Sequence, residues 1–195
     1  MSKQLELIDP KLAGWIAAQR MFFVATSPLS ADGHVNVSPK GGESFRVLGP
    51  LEAAYLDYTG SGAETAAHLR ENGRIVIMFC AFEGPPKIVR LHGKGTVVLP
   101  GDPAFAGFLP LFPENPGTRS IIRIKVERVS DSCGYSVPYY DFKEPRDILD
   151  KWASTNGSEK LADYRLRKNQ SSIDGLPAFD PPGVEPGHSA GNPCS

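Results

Sequence analysis

Tyr58-Thr59-Gly60-Ser61-Gly62-Ala63-Glu64-Thr65-Ala66-Ala67-His68-Leu69 carries a strand-like run, Ala53–Tyr58, through two glycines into a helix-like run. Glycine at 60 and 62 permits positive φ, which turns successive N–H groups inward. A helix opening near Ala63 adds its unpaired N–H groups and the positive end of its dipole. A backbone of this kind holds anions, and phosphate is the obvious guest. It is not a Walker loop, which needs Gly-Lys-Ser/Thr where Gly62-Ala63-Glu64 stands. Nor is it a Rossmann fingerprint, whose third glycine would fall at Thr65. Taken alone it reads more readily as an ordinary strand-to-helix turn that uses glycine for geometry, so its flanks decide.

Downstream, Asn72-Gly73 stops the helix. Arg74 to Phe82 is then apolar on both faces, the pattern of a strand buried on both sides in a barrel or at a dimer seam. Glu83-Gly84-Pro85-Pro86 turns the chain into Lys87–Leu99, where Val89, Leu91, Gly93, Gly95 and Val97 share one face and Arg90, His92, Lys94 and Thr96 the other. A last long strand spans Ser120 to Ser130 with Ile122, Ile124 and Val126 inward. Upstream, Asp9-Pro10 is an N-cap followed by proline at the first position of a short helix. Met21–Ser27 and His34–Pro39 form a hairpin about Ala31-Asp32-Gly33, and Phe45–Leu48 and Ala53–Tyr58 are parted by Gly49-Pro50. The pattern predicts a mainly β fold, a six-stranded antiparallel barrel with peripheral helices. Residues 1–177 form this domain, with a helical extension over about 133–177 carrying helices at Arg146–Ser154 and Glu159–Arg167, and the Pro/Gly-rich 178–195 is expected to be a disordered tail.

At 195 residues and 41% hydrophobic content the chain suits one domain, and its net charge of −1 gives no electrostatic reason to expect nucleic acid or an anionic membrane surface. With no signal peptide and no bilayer-length apolar run, the expectation is a cytoplasmic protein. Cys80, Cys133 and Cys194 are too few and too scattered for a disulfide framework or zinc site, and Cys133 reads as a buried thiol.

The ordered set Val35-Asn36-Val37-Ser38-Pro39-Lys40-Gly41, Tyr55-Leu56-Asp57-Tyr58-Thr59 with its glycine loop, His68-Leu69-Arg70-Glu71-Asn72-Gly73-Arg74-Ile75, and Pro86-Lys87-Ile88-Val89-Arg90-Leu91-His92-Gly93 resembles the FMN-binding split-barrel family related to pyridoxamine 5'-phosphate oxidase. The resemblance covers roughly Asp9 to Val129. It implies a homodimer with FMN at the subunit interface and a small-molecule electron donor or acceptor as second substrate. The cofactor-binding residues it implies are Asn36, Val37, Ser38 and Lys40 along the ring and ribityl chain, and Tyr58, Thr59, Gly60, Ser61, Gly62 and Thr65 around the phosphate, with Arg90 as a further cation. Lys40 or Arg90 would place positive charge near the pyrimidine end of the flavin.

Two departures accompany the resemblance. Biosynthetic members carry an Arg-Lys pair for the FMN phosphate where this chain has Glu64-Thr65, so the cation must come from elsewhere. The C-terminal Arg-Leu-His element that recognises the substrate phosphate is also missing, so efficient oxidation of pyridoxamine 5'-phosphate is not expected. The expected activity is that of a flavin-dependent oxidoreductase whose catalytic residues the sequence does not declare. The alternatives are a non-catalytic flavin or haem-binding module on the same fold and a deazaflavin-dependent reductase.

Overall fold

In a computed structural model, residues 3–179 are described. Asp9 caps the first helix, its Oδ1 accepting from Leu12 N–H at 2.7 Å with Pro10 following. The elements are β1 (Lys3–Leu5), α1 (Pro10–Ala17), β2 (Met21–Thr26), β3 (Asn36–Gly41), β4 (Phe45–Gly49), β5 (Glu52–Tyr58), α2 (Glu64–Glu71), β6 (Arg74–Cys80), β7 (Ile88–Val98), α3 (Pro103–Phe108) with a 3₁₀ turn at Leu109–Leu111, β8 (Thr118–Ser132) and α4 (Ile148–Lys168). The strands form one eight-stranded sheet in the order β3-β2-β6-β7-β8-β5-β4, with β1 also against β8. Every pairing is antiparallel. The sheet curls into a half-barrel whose free edges are β3 and β4. Long β8 is its hub, pairing with β7 on one side and with β5 and then β1 on the other.

Period-2 alternation aims one residue set inward. Phe22 and Val24, Tyr55, Ile75, Ile77 and Phe79, Val89 and Leu91, and Ile122, Ile124 and Val126 meet in one core, which Leu12 and Ile16 of α1 join. Phe22, Phe45, Tyr55 and Phe79 stack at its centre with ring centroids 5.0 to 5.8 Å apart. Fully burying each such side chain contributes about 1.5–3 kcal/mol, so this cluster is the main term holding the curl.

Several expectations change. The sheet has eight strands rather than six. β1 is too short to announce itself, and both Phe45–Gly49 and Glu52–Tyr58 are full members of the sheet. Within the single chain, β5 and the first part of β8 are buried on both faces, and β6 is not. Ala54 and Leu56 of β5 are covered by Phe112 with Phe105 and Phe108, whereas outward Val76 and Met78 of β6 stay half-exposed. The two expected C-terminal helices are present: α4 is two helices that meet at non-helical Gly157 (φ 70°, ψ 173°). Cys133 is exposed, and Cys80 is the buried thiol. Ala178 and Phe179, assigned above to the tail, are seated: their N–H groups donate to Gln170 O and Asn169 O, and Ala178 packs on Ala63, Ala66 and Ala67. The rest of the expected tail, from residue 180, lies outside the described residues. Among the described residues, no helix is long and apolar enough to cross a membrane and no His/Cys/Asp/Glu cluster could hold a metal ion.

Candidate functional site

The loop from Thr59 to Ala63 leaves β5 and enters α2, and its shape comes from outside itself. Neither Gly60 nor Gly62 has positive φ, which corrects the expectation that glycine freedom shapes the loop. Remote side chains hold its polar groups instead. Asn169 Nδ2 donates to Gly60 O at 2.8 Å and reaches Ser61 O at 3.5 Å, and Arg119 Nη1 donates to Gly62 O at 3.0 Å. Thr59 donates N–H and hydroxyl to Gly117 O at 2.7 and 3.0 Å, while Arg165 Nε donates to the Thr59 hydroxyl at 2.8 Å.

Across the free edge, pairing of Phe22 with Lys40, Val24 with Ser38 and Thr26 with Asn36 puts the β3 residues on the inward face. They meet the loop there. Asn36 Nδ2 donates to Thr26 Oγ1 at 3.2 Å and Thr65 Oγ1 at 3.1 Å, and the Ser38 hydroxyl donates to Asn36 Oδ1 at 3.1 Å. Lys40 Nζ lies 3.5 Å from Asp57 Oδ1. Buried Asp57 also accepts from Arg119 Nε and Nη2 at 2.9 and 2.8 Å and from Ser120 Oγ at 3.1 Å. A charged residue inside the apolar run Ala53–Tyr58 was the sequence signal for this cluster.

The local charge is unbalanced. Lys40, Arg119 and Arg165 face one buried carboxylate. Burial, then repulsion from Arg119, pushes the Arg165 guanidinium below its ordinary value, and Asp57 offsets this in part. Burial and the Asp57 charge hold the Tyr55 phenol well above its usual value. His68, wholly buried with Nδ1 3.0 Å from Thr26 Oγ1, is pushed down by burial and is therefore neutral near pH 7. Excess positive charge beside an exposed loop favours an anion.

The structure thus brings together Asn36, Ser38, Lys40, Thr59, Gly60, Ser61, Gly62 and Thr65, and it separates the other three expected residues. Tyr58 lies on the outer face of β5 with Ala54 and Leu56. Val37 is exposed on the outer face of β3. Arg90 sits outward on β7, opposite Met78 and Ser130, and donates to Ser132 Oγ at 3.1 Å. Sequence reasoning missed Asp57, Arg119, Arg165 and Asn169. The last three join the loop only through contacts 57 to 109 residues long.

These residues fit a flavin mononucleotide. Exposed Ser61 and Gly62 offer backbone N–H to a terminal phosphate, and Asn36, Ser38 and Lys40 offer an amide, a hydroxyl and an ammonium to the polyol and polar ring edge. One feature opposes the phosphate. The Glu64 carboxylate folds back over the loop, where a Cβ placed on Gly62 would lie 2.5 Å from its Oε2.

Residues 8–133 match the family model described as pyridoxamine 5'-phosphate oxidase. The chain is 40% identical over 191 residues to the Aspergillus flavus pyridoxamine 5'-phosphate oxidase family protein ustO, covering 89% of this chain and 76% of that one. Among solved structures, a HupZ variant from Group A Streptococcus superposes with a TM-score of 0.50 at 23% identity, covering 64% of this chain and 99% of its own. A FAD-binding protein from Mesorhizobium loti superposes with a TM-score of 0.46 at 16% identity, covering 67% and 96%.

Proposed function

This chain belongs to the pyridoxamine 5'-phosphate oxidase family, and from that premise we propose that it is an FMN-binding, flavin-dependent oxidoreductase that works as a homodimer. The observation that carries the reading is the meeting of Asn36, Ser38 and Lys40 with the glycine loop across the free edge, in a place of excess positive charge. FMN bound there would supply hydride transfer with a small-molecule donor or acceptor. The protein's part is binding and orientation. Loop N–H groups take the phosphate, Asn36 and Ser38 take polyol hydroxyls, and the Lys40 ammonium, a quarter exposed, places positive charge beside the ring.

The dimer reading rests on the outer face of the sheet. Met21, Phe23, Val76, Met78 and Ile88 are neighbours there, half-buried in the single chain, with Arg90 among them. A second copy laid on this face would bury the apolar set and carry Arg90 toward the partner's flavin.

Pyridoxamine 5'-phosphate is not the substrate of this reading. Arg165 of the C-terminal Arg-Leu-Arg run is committed to the Thr59 hydroxyl and Thr118 O instead of facing a substrate phosphate. Its turnover is expected near the free-flavin background. Anaerobic mixing of the FMN-loaded protein with NADH or NADPH tests the oxidoreductase part. Bleaching of the flavin absorbance supports it, and an unchanged spectrum with either donor and with added small reductants contradicts it.

A further inference from the structure

The Asn169–Phe179 segment lies beyond the family-matched residues and folds back over α2. Ala178 packs on Ala63, Ala66 and Ala67, Arg70 donates to Ala178 O at 2.8 Å, and the Phe179 ring covers the Arg119 guanidinium at 4.7 Å. A hydrogen bond between His34 Nδ1 and Asp174 Oδ1 at 2.6 Å ties the same segment to the β2–β3 hairpin.

Its effect on the loop follows from the planar trans peptide. In each such unit the C=O of one residue and the N–H of the next point in opposite directions, and no described peptide is cis. Asn169 and Arg119 hold the carbonyls of Gly60, Ser61 and Gly62, and the two anchors are neighbours, since Phe179 covers Arg119 and donates its N–H to Asn169 O at 3.2 Å. The N–H groups of Ser61, Gly62 and Ala63 are therefore turned to the other side, and none of them donates to a described residue. Asn169 does this at a cost. It is fully buried and its Oδ1 has no partner among the described residues, an arrangement that destabilises unless the amide N–H serves something.

We infer that Asn169, with the segment to Phe179, is a positioning element that sets the phosphate selectivity of the flavin site by holding the loop carbonyls back and its N–H groups outward. This rests on the flavin reading above and names the part of the chain that makes the site prefer a phosphorylated flavin. The Asn169 side chain acts through the loop carbonyls.

The test compares FMN with riboflavin, which lacks the phosphate, by fluorescence titration of the full chain and of Asn169→Leu. The leucine keeps the branched shape, removes the orphaned Oδ1 together with the donor, and releases the Gly60 carbonyl. Wild type should bind FMN more tightly than riboflavin. Asn169→Leu should weaken FMN about tenfold and leave riboflavin unchanged, as expected for the loss of one positioning hydrogen bond. Phe179→Leu, which uncovers Arg119 and leaves the Asn169 side chain in place, should shift the same ratio in the same direction and serves if Asn169→Leu does not fold. Equal losses for both flavins, or none, overturn the inference and leave the flavin reading standing. Equal wild-type affinity for the two flavins also overturns it. Wild type that binds neither flavin ends both.

Discussion

Glycine does different work in two regions of this molecule. At the β7–β8 bulge, where the register shifts between His92 and Gly93, a Cβ on Gly93 would collide with the Lys125 carbonyl, so the backbone itself demands glycine. In the loop between β5 and α2, Gly60 and Gly62 have ordinary φ, and a Cβ on Gly62 would meet only the movable end of Glu64. The sheet region is therefore built from its own backbone. The loop is shaped by side chains supplied from β8 and the C-terminal segment, and its glycines mainly leave it uncovered for a ligand.

The harshest way to break the contrast is Arg119→Met. It removes the donor to Gly62 O and leaves Asp57 buried with weaker partners. Removing one member of a buried pair costs about 3–5 kcal/mol, so chemical denaturation should show a loss of that order. Gly93→Ala should follow at about 1–3 kcal/mol through forced backbone shifts. A wild-type melting curve for that variant would put the demand for glycine elsewhere. Lys40→Ala should barely change stability yet weaken FMN about tenfold to a hundredfold if the ammonium touches the cofactor. Equal affinity would leave Lys40 as a partner of Asp57 alone.

A pH titration sharpens the picture of the interior. Burial lowers the folded pKa of His68 and of His92, where Arg128 and Arg90 add to the effect. The unfolded chain then binds more protons, so stability holds above the unfolded histidine value of about 6.5 and falls as pH drops below it toward the folded values. Thermal melts between pH 8 and pH 5, about this value, should decline on the acid side, and less so in His68→Gln. The smallest expected effect is that of Gly62→Ala, within about 0.5 kcal/mol, because only the Glu64 carboxylate must move. A large loss there would restore the idea that loop shape depends on glycine.

The legibility of the sequence divides along the same line. Strand alternation, the Asp9-Pro10 cap and the hairpin about Ala31-Asp32-Gly33 are local, and the structure follows them. So is the meeting of β3 with the glycine loop once the family resemblance is used. Where the reading failed, the causes are distant or unpatterned. Positive φ at Gly60 and Gly62 is an inference from residue type that carbonyl anchors 57 and 109 residues away make unnecessary. Two-faced burial of β6, expected in a barrel or at a dimer seam because Arg74–Phe82 is continuously apolar, is not completed within the single chain, where Val76 and Met78 stay half-exposed. Burial of the outer face of β5 by Phe105, Phe108 and Phe112 depends on α3 and the turn after it, in a segment without a clear period. Asn169 escapes a sequence reading because it acts through the main chain of a segment 109 residues away.

The central claim is that this chain binds FMN with its phosphate at the loop from Thr59 to Thr65. The most direct measurement is mass spectrometry of whatever small molecule heat denaturation releases from the purified protein, followed by titration of the emptied protein with FMN. The account predicts a yellow preparation that releases FMN and rebinds it, about one per chain. A colourless preparation that releases no flavin and does not quench added FMN would contradict it.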